Sequence, residues 1–70
     1  MNDAFETIAA VSDYGMRMML IRSLVIDAES LYEAVEIAVN ALSMDWPEIM
    51  RAELEVLFSD KFRALMEAMR

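Results

Sequence analysis

The chain contains no cysteine and no histidine among its 70 residues. Without cysteine it forms no disulfide, and without either residue it lacks the preferred ligands of structural zinc. The same absences remove the usual general base and the most reactive nucleophile of covalent catalysis. We therefore predict a protein that is not an enzyme and that has neither catalytic residues nor a cofactor.

Carboxylates remain the one route to metal or acid–base chemistry. Glu29, Glu33 and Glu36 offer oxygen ligands that suit Mg²⁺ or Ca²⁺, and the last two also offer a carboxylate pair. The chain has no EF-hand loop pattern, however, and a bundle this small has little room for an active-site pocket. We predict no metal site and keep a metal-dependent enzyme as the least favoured alternative.

Glycine and proline occur once each, and no Asn-Gly pair is present, so β-hairpin turn signals are missing. Alanine, leucine, methionine and glutamate, all good helix formers, dominate instead. The capping box Ser30-Leu31-Tyr32-Glu33 predicts a helix over 31–43. Its buried face is expected to be formed, at helical spacing, by Leu31, Ala34, Val35, Ala38, Val39 and Leu42.

A second capping box, Asp45-Trp46-Pro47-Glu48, predicts the start of the last helix. Asp45 is the expected cap, Pro47 fits the first turn, and Met44 with Ile49 flank the box as a hydrophobic staple. The apolar stripe that follows has no break, so we expect one helix over 46–69. The stripe consists of Trp46, Met50, Leu54, Leu57, Phe58, Phe62, Leu65, Met66 and Met69.

The N-terminal third predicts one helix over 3–26, capped by Asn2 or Asp3. Gly15 interrupts this helix at a cost of about 1 kcal/mol relative to alanine, so a kink, a break or a close approach to another helix stays open there. A strand around the β-branched Val25 and Ile26 is the competing interpretation, but the flanking helices offer it no partner strand. Residues 16–26 are apolar nearly all round, which is typical of a helix buried on several sides. The expected fold is all-α: a small three-helix bundle (3–26, 31–43 and 46–69) in a single domain over 1–70.

Basic residues are absent from the centre of the chain. Between Arg22 and Arg51 there are six acids and no lysine or arginine, and the whole chain has a formal net charge of −7. Phosphate and anionic lipid repel such a stretch, so we predict no direct nucleic-acid or membrane partner. It suits a basic protein surface, although an acidic helix face also serves simply to keep an apolar chain soluble. The residues expected to contact the partner are Asp27, Glu29, Tyr32, Glu33 and Glu36.

Apolar residues make up 59% of the chain, including eight methionines. A core this small rarely supplies more than roughly 3–5 kcal/mol, and self-association is the stabilising device left once disulfides and zinc are excluded. We therefore predict a homodimer. Its interface is expected to use Leu57, Phe58, Phe62, Leu65, Met66 and Met69. The chain begins without a basic signal-peptide region and has no apolar run long enough for a bilayer, so we expect a cytoplasmic protein.

The acidic stretch from Asp27 to Glu48, with its association-prone helices, resembles small acidic phage-encoded inhibitors of bacterial host proteins. It is most similar to the type that acts as an anti-activator of quorum-sensing transcription factors. That resemblance implies a helical homodimer that binds the DNA-binding region of an activator and blocks its access to promoters. The alternative is a structural or adaptor module that oligomerises through its apolar, Met- and Phe-rich face.

Overall fold

The computed structural model of the chain describes residues 3–69. Within that range the chain folds into four helices: α1 (Asp3–Ala9), α2 (Tyr14–Asp27), α3 (Leu31–Leu42) and α4 (Glu48–Ala68). No residue of this range lies in a strand, which confirms the all-α class. The cap predicted at Asn2 lies outside the described residues.

The single helix expected over 3–26 is wrong, because the chain leaves the helix after α1 and enters a new one at α2. The cause is Asp13, whose carboxylate accepts hydrogen bonds from the backbone N–H of Gly15 at 2.9 Å and of the next residue at 3.2 Å. Such a cap starts a helix and competes with continuing the previous one. Gly15 therefore lies in the first turn of α2, where an added Cβ would come within 3.2 Å of the capping oxygen. The expected three helices become four.

Arg17 of α2 holds the ends of this break together, although its side chain is only 8% exposed. Its guanidinium donates to the carbonyl oxygen of Val11 at 2.7 Å, of Ala9 at 3.1 Å and of Asp45 at 2.8 Å. The first two carbonyls lie where α1 ends and its helical N–H donors run out. The third belongs to the loop between α3 and α4, so one side chain ties the end of α1 and the start of α2 to a loop 28 positions further along the chain.

Two aromatic rings complete the surroundings of Arg17. Its guanidinium carbon lies 5.0 Å from the ring centroid of Tyr14 and 5.4 Å from that of Trp46, which are cation–π distances. The Tyr14 hydroxyl donates to the Asp45 carboxylate at 2.8 Å, and the Trp46 indole N–H donates to the Ala41 carbonyl at 2.7 Å. We call Arg17, Tyr14, Asp45 and Trp46 the Arg17 clamp.

Asp45 does not cap the last helix, contrary to the sequence-based expectation. The N-cap position of α4 is Pro47, which makes no side-chain cap, and the helix begins at Glu48. Ile49 is 78% exposed, so the expected hydrophobic staple does not form either. Proline needs no partner for a backbone N–H, and its restricted φ favours helix entry. The Asp45 carboxylate is thereby left to accept from Tyr14.

The core lies between α2, α3 and α4, which pack against one another in pairs, while α1 packs on α2. Leu54 and Phe58 of α4 are fully buried against Ile21 and Val25 of α2. As predicted, α4 is one uninterrupted helix, and its 21 residues span about 32 Å. This length accounts for the elongated outline of 40 × 27 × 16 Å.

Replacing Tyr14 with phenylalanine is expected to lower stability at neutral pH and to lose that effect in alkali. The hydrogen bond to Asp45 raises the pKa of the Tyr14 hydroxyl, because ionisation would set a phenolate against a carboxylate. A raised folded-state pKa means that the bond stabilises the fold below about pH 10 and stops doing so as the pH rises through the raised value. Urea unfolding of both chains across this range measures the difference. If the two chains still differed in their free energy of unfolding after Tyr14 has ionised, the hydrogen bond to Asp45 would not be the source of the stabilisation.

Candidate protein-binding face

Helix α3 begins after the N-cap that the sequence predicts at Ser30, but the Glu33 carboxylate accepts from the Ser30 hydroxyl and not, as a full capping box requires, from the Ser30 backbone N–H. The Ser30 hydroxyl accepts from the backbone N–H of Glu33 at 3.1 Å and lies 3.2 Å from its carboxylate, to which it donates. This cap fixes the residue at which α3 begins. Packing against α2 and α4 then determines which side chains face the bundle and which face away from it. The fully buried side chains are the small ones, namely Ala34, Ala38 and Ala41, and Ile37 and Leu42 pack against the core beside them.

The outward side of α3 carries three exposed apolar side chains. Tyr32 is 77% exposed, Val35 44% and Val39 65%. At about 100° per residue they follow one another along a single edge of the helix. The expectation that Val35 and Val39 belong to the buried face is wrong, because a strip of alanines is enough to contact α2 and α4. We call Tyr32, Val35 and Val39 the apolar ridge.

Acidic residues lie directly beside the apolar ridge. Glu33 and Glu36 occupy the next positions around α3, and Glu29 precedes the helix; all three are exposed. Asp27, also exposed, ends α2 a few residues earlier. The five residues predicted to bind a partner therefore all have accessible side chains.

Three of these acids line one cleft. Asp27, Glu33 and Glu36 border a space of about 210 Å³ where α1 and the end of α2 meet α3. Apolar residues also line it: Ala4, Phe5, Leu24, Ala28 and Ile37. Such a cleft suits a lysine or arginine, whose aliphatic stem packs on apolar surface while its charged end meets carboxylates. Across residues 3–69, no three carboxylates come together as a metal site.

Glu36 connects this cleft to the apolar ridge. It also lines a shallow depression of about 260 Å³ on the other side of α3, together with Tyr32, Val35, Val39 and Asn40. Tyr32 thus belongs to the depression, while Glu29 lines neither space. The sequence indicated the acids but not the ridge. The i, i+4, i+7 spacing of the three alanines could have indicated it, because that spacing marks a buried strip narrower than the whole apolar face of α3.

The residues predicted for a dimer interface differ in their accessibility. Phe58 is 2% exposed and packs inside the single chain, so it has no surface to offer a second copy. Leu57, Phe62 and Leu65 are half-buried. Met66 and Met69, at the end of α4, are 56% and 72% exposed. The apolar side of α4 therefore becomes progressively more accessible towards its C-terminal end.

Comparison with known protein families, with curated proteins and with solved structures finds no match. Among the described helices, none is both long enough and apolar enough to cross a membrane.

Proposed function

We propose that this chain is an inhibitory binding protein that docks the acidic side of α3 on a basic surface of another protein. The DNA-binding region of a transcription activator is such a surface, and covering it would block promoter access. The observation that carries the proposal is the joint exposure, on one helix, of the apolar ridge and of an acidic edge. A face that served solubility alone would have no use for three exposed apolar side chains.

The two parts of this face have different roles in the proposal. The carboxylates attract a basic partner over distance and raise the rate of encounter. A basic side chain of the partner then enters the cleft at Asp27, Glu33 and Glu36. The apolar ridge is shielded from water in the complex and slows dissociation, since interface cores are apolar and aromatic. Neither nucleic acid nor membrane is proposed as a direct partner.

We further propose that two copies associate through the C-terminal part of α4. The surface comprises Leu57, Phe62, Leu65, Met66 and Met69, without Phe58. Its support is the continuation of the core-facing apolar side of α4 to positions where nothing in the described chain covers Met66 and Met69. Unbranched methionines adapt well to such a contact. Self-association would leave the α3 face free for the other protein.

Capture of a binding protein from cell lysate tests the proposed function, using the full chain at low and high salt. We expect capture at low salt and strong weakening in about 0.5 M salt, where charges on the surface are screened over a few ångströms. Val39→Ser should weaken capture about tenfold with little loss of stability, because its side chain is 65% exposed. Ile26→Ser is the matched control, since Ile26 is 66% exposed but lies on α2. Capture that high salt leaves unchanged would rule out electrostatic docking.

A further inference from the structure

Helices α2 and α4 lie side by side and run in the same direction. The start of α2 contacts the loop before α4, where Arg17 donates to the Asp45 carbonyl at 2.8 Å. The end of α2 lies beside the middle of α4, where the Lys61 ammonium donates to the Ile26 carbonyl at 3.2 Å. The two helices therefore form one layer of the bundle, and the exposed side chains along their shared edge belong to one surface.

Exposed apolar side chains occupy this surface. Met19 on α2 is 71% exposed, and Ile49 and Val56 on α4 are 78% and 61% exposed. Arg22 follows Met19 by about one turn and borders the same space of about 560 Å³ as both α4 residues. Glu53 lies between Ile49 and Val56 on the same side of α4. We call this surface the α2/α4 face, and it consists of Met19, Arg22, Ile49, Glu53 and Val56. Exposed apolar side chains grouped in this way mark a site of contact with another molecule.

The α2/α4 face carries one unpaired charge of each sign. Neither the Arg22 nor the Glu53 side chain makes an ion pair or a hydrogen bond within residues 3–69. Helix α2 has no acid before its last residue, and Asp60, which borders the face on α4, lies 3.6 Å from Arg63. The face is therefore close to neutral, although the whole chain has a formal net charge of −7.

We propose that two copies of the chain meet at the α2/α4 face about a twofold axis, with Arg22 of each copy paired to Glu53 of the other. A twofold contact brings the same surface together from both sides, so this pairing occurs twice. The inference rests on the self-association proposed above and adds α2 to its surface. Leu57 borders the α2/α4 face and belongs to the surface already proposed, so the two surfaces are continuous on α4.

A second copy suits this face better than a different protein does. A face with one unpaired charge of each sign is complementary to itself, whereas a basic partner is attracted to the acidic side of α3. Two copies that each have a net charge of −7 repel one another least where both are close to neutral. Residues 16–26 are apolar nearly all round, yet one chain buries only one side of α2. A second copy would cover the other side, as expected of such a helix.

Charge reversal in two variants that are then mixed tests the proposal, with association of the full chain measured by sedimentation and native mass spectrometry. We expect a dimeric wild type. Arg22→Glu alone and Glu53→Arg alone should each weaken self-association about tenfold or more, because two like-charged pairs replace two ion pairs. A mixture of the two variants should form heterodimers about as stable as the wild-type dimer, since each heterodimer has one native and one reversed ion pair. An effect within one chain would not be rescued by mixing.

Glu6→Arg on α1 is the matched control, because it makes the same change at an exposed position away from the face, and it should dimerise like the wild type. Heterodimers that form no better than either homodimer would overturn the proposal. A dimer that Val56→Glu leaves intact would also overturn it, and if Met66→Glu dissociates that dimer, self-association uses the end of α4 alone. A monomeric wild type would overturn both this inference and the self-association proposed above, whereas capture through α3 is measured independently. Circular dichroism of these variants should match the wild type, because every changed side chain is exposed.

Discussion

Replacing Arg17 with alanine is expected to lower the free energy of unfolding by about 2–4 kcal/mol. The change leaves the carbonyl oxygens of Ala9, Val11 and Asp45 without their donor in part-buried surroundings, and an acceptor left without a partner costs up to about 1–3 kcal/mol, less where water reaches it. A chain of this length has roughly 4–10 kcal/mol of stability in total. The variant should therefore lose a large part of its stability and unfold at a clearly lower urea concentration, which urea denaturation followed by circular dichroism measures.

Two further variants separate the Arg17 clamp from a general effect of losing positive charge. Arg63→Ala removes an arginine whose side chain is 67% exposed and should change stability by no more than about 0.5 kcal/mol. Arg17→Lys keeps the charge but loses the planar fork that reaches three carbonyls, so an intermediate loss is expected. Equal urea midpoints for Arg17→Ala and the wild type would show that the clamp does not hold the helices together.

Reversing the charges of Glu33 and Glu36 to lysine is expected to lower the association rate constant for the captured partner about tenfold or more. These two carboxylates line the cleft together with Asp27, and lysines there would repel a basic surface. The salt dependence of association should flatten in the same variant, because the steering charge has gone. Stopped-flow or surface-binding kinetics at several salt concentrations measures both effects.

The control for this reversal is the pair Glu55→Lys and Glu67→Lys, which changes the net charge equally at exposed positions of α4. It should slow association much less if the location of the acids matters. The adaptor alternative predicts the reverse pattern: Glu33→Lys and Glu36→Lys leave activity intact, while Phe62→Ala or Met66→Ala destroys it. That result would replace docking through α3 by association through the apolar side of α4.

Local sequence signals predicted those parts of the fold that depend on neighbours in the chain. The cap at Ser30 and the continuity of α4 both follow from residues within a few positions of each other. The division of the first helix stayed open at the level of the sequence, because Gly15 interrupts that helix while the apolar pattern runs through it. The break depends on Asp13 as a cap and on Arg17 reaching the loop at Asp45, which is 28 positions further along.

The candidate site was likewise predictable only in part. The exposed acids of α3 were predictable, since charge is seldom buried unpaired. The exposure of Val35 and Val39 was not, because the sequence does not state how much of an apolar helix face its neighbours cover.

The sequence by itself determined the helical class, the start of α3, the length of α4 and the acidity of the centre, since each follows from composition or from short-range spacing. Only the tertiary structure decided the rest. Packing turned Asp45 from a cap into the partner of Tyr14, buried the charge of Arg17 among carbonyls, and left Tyr32, Val35 and Val39 facing solvent. The physical reason is that burial depends on which surfaces meet, and those contacts join residues far apart in the chain.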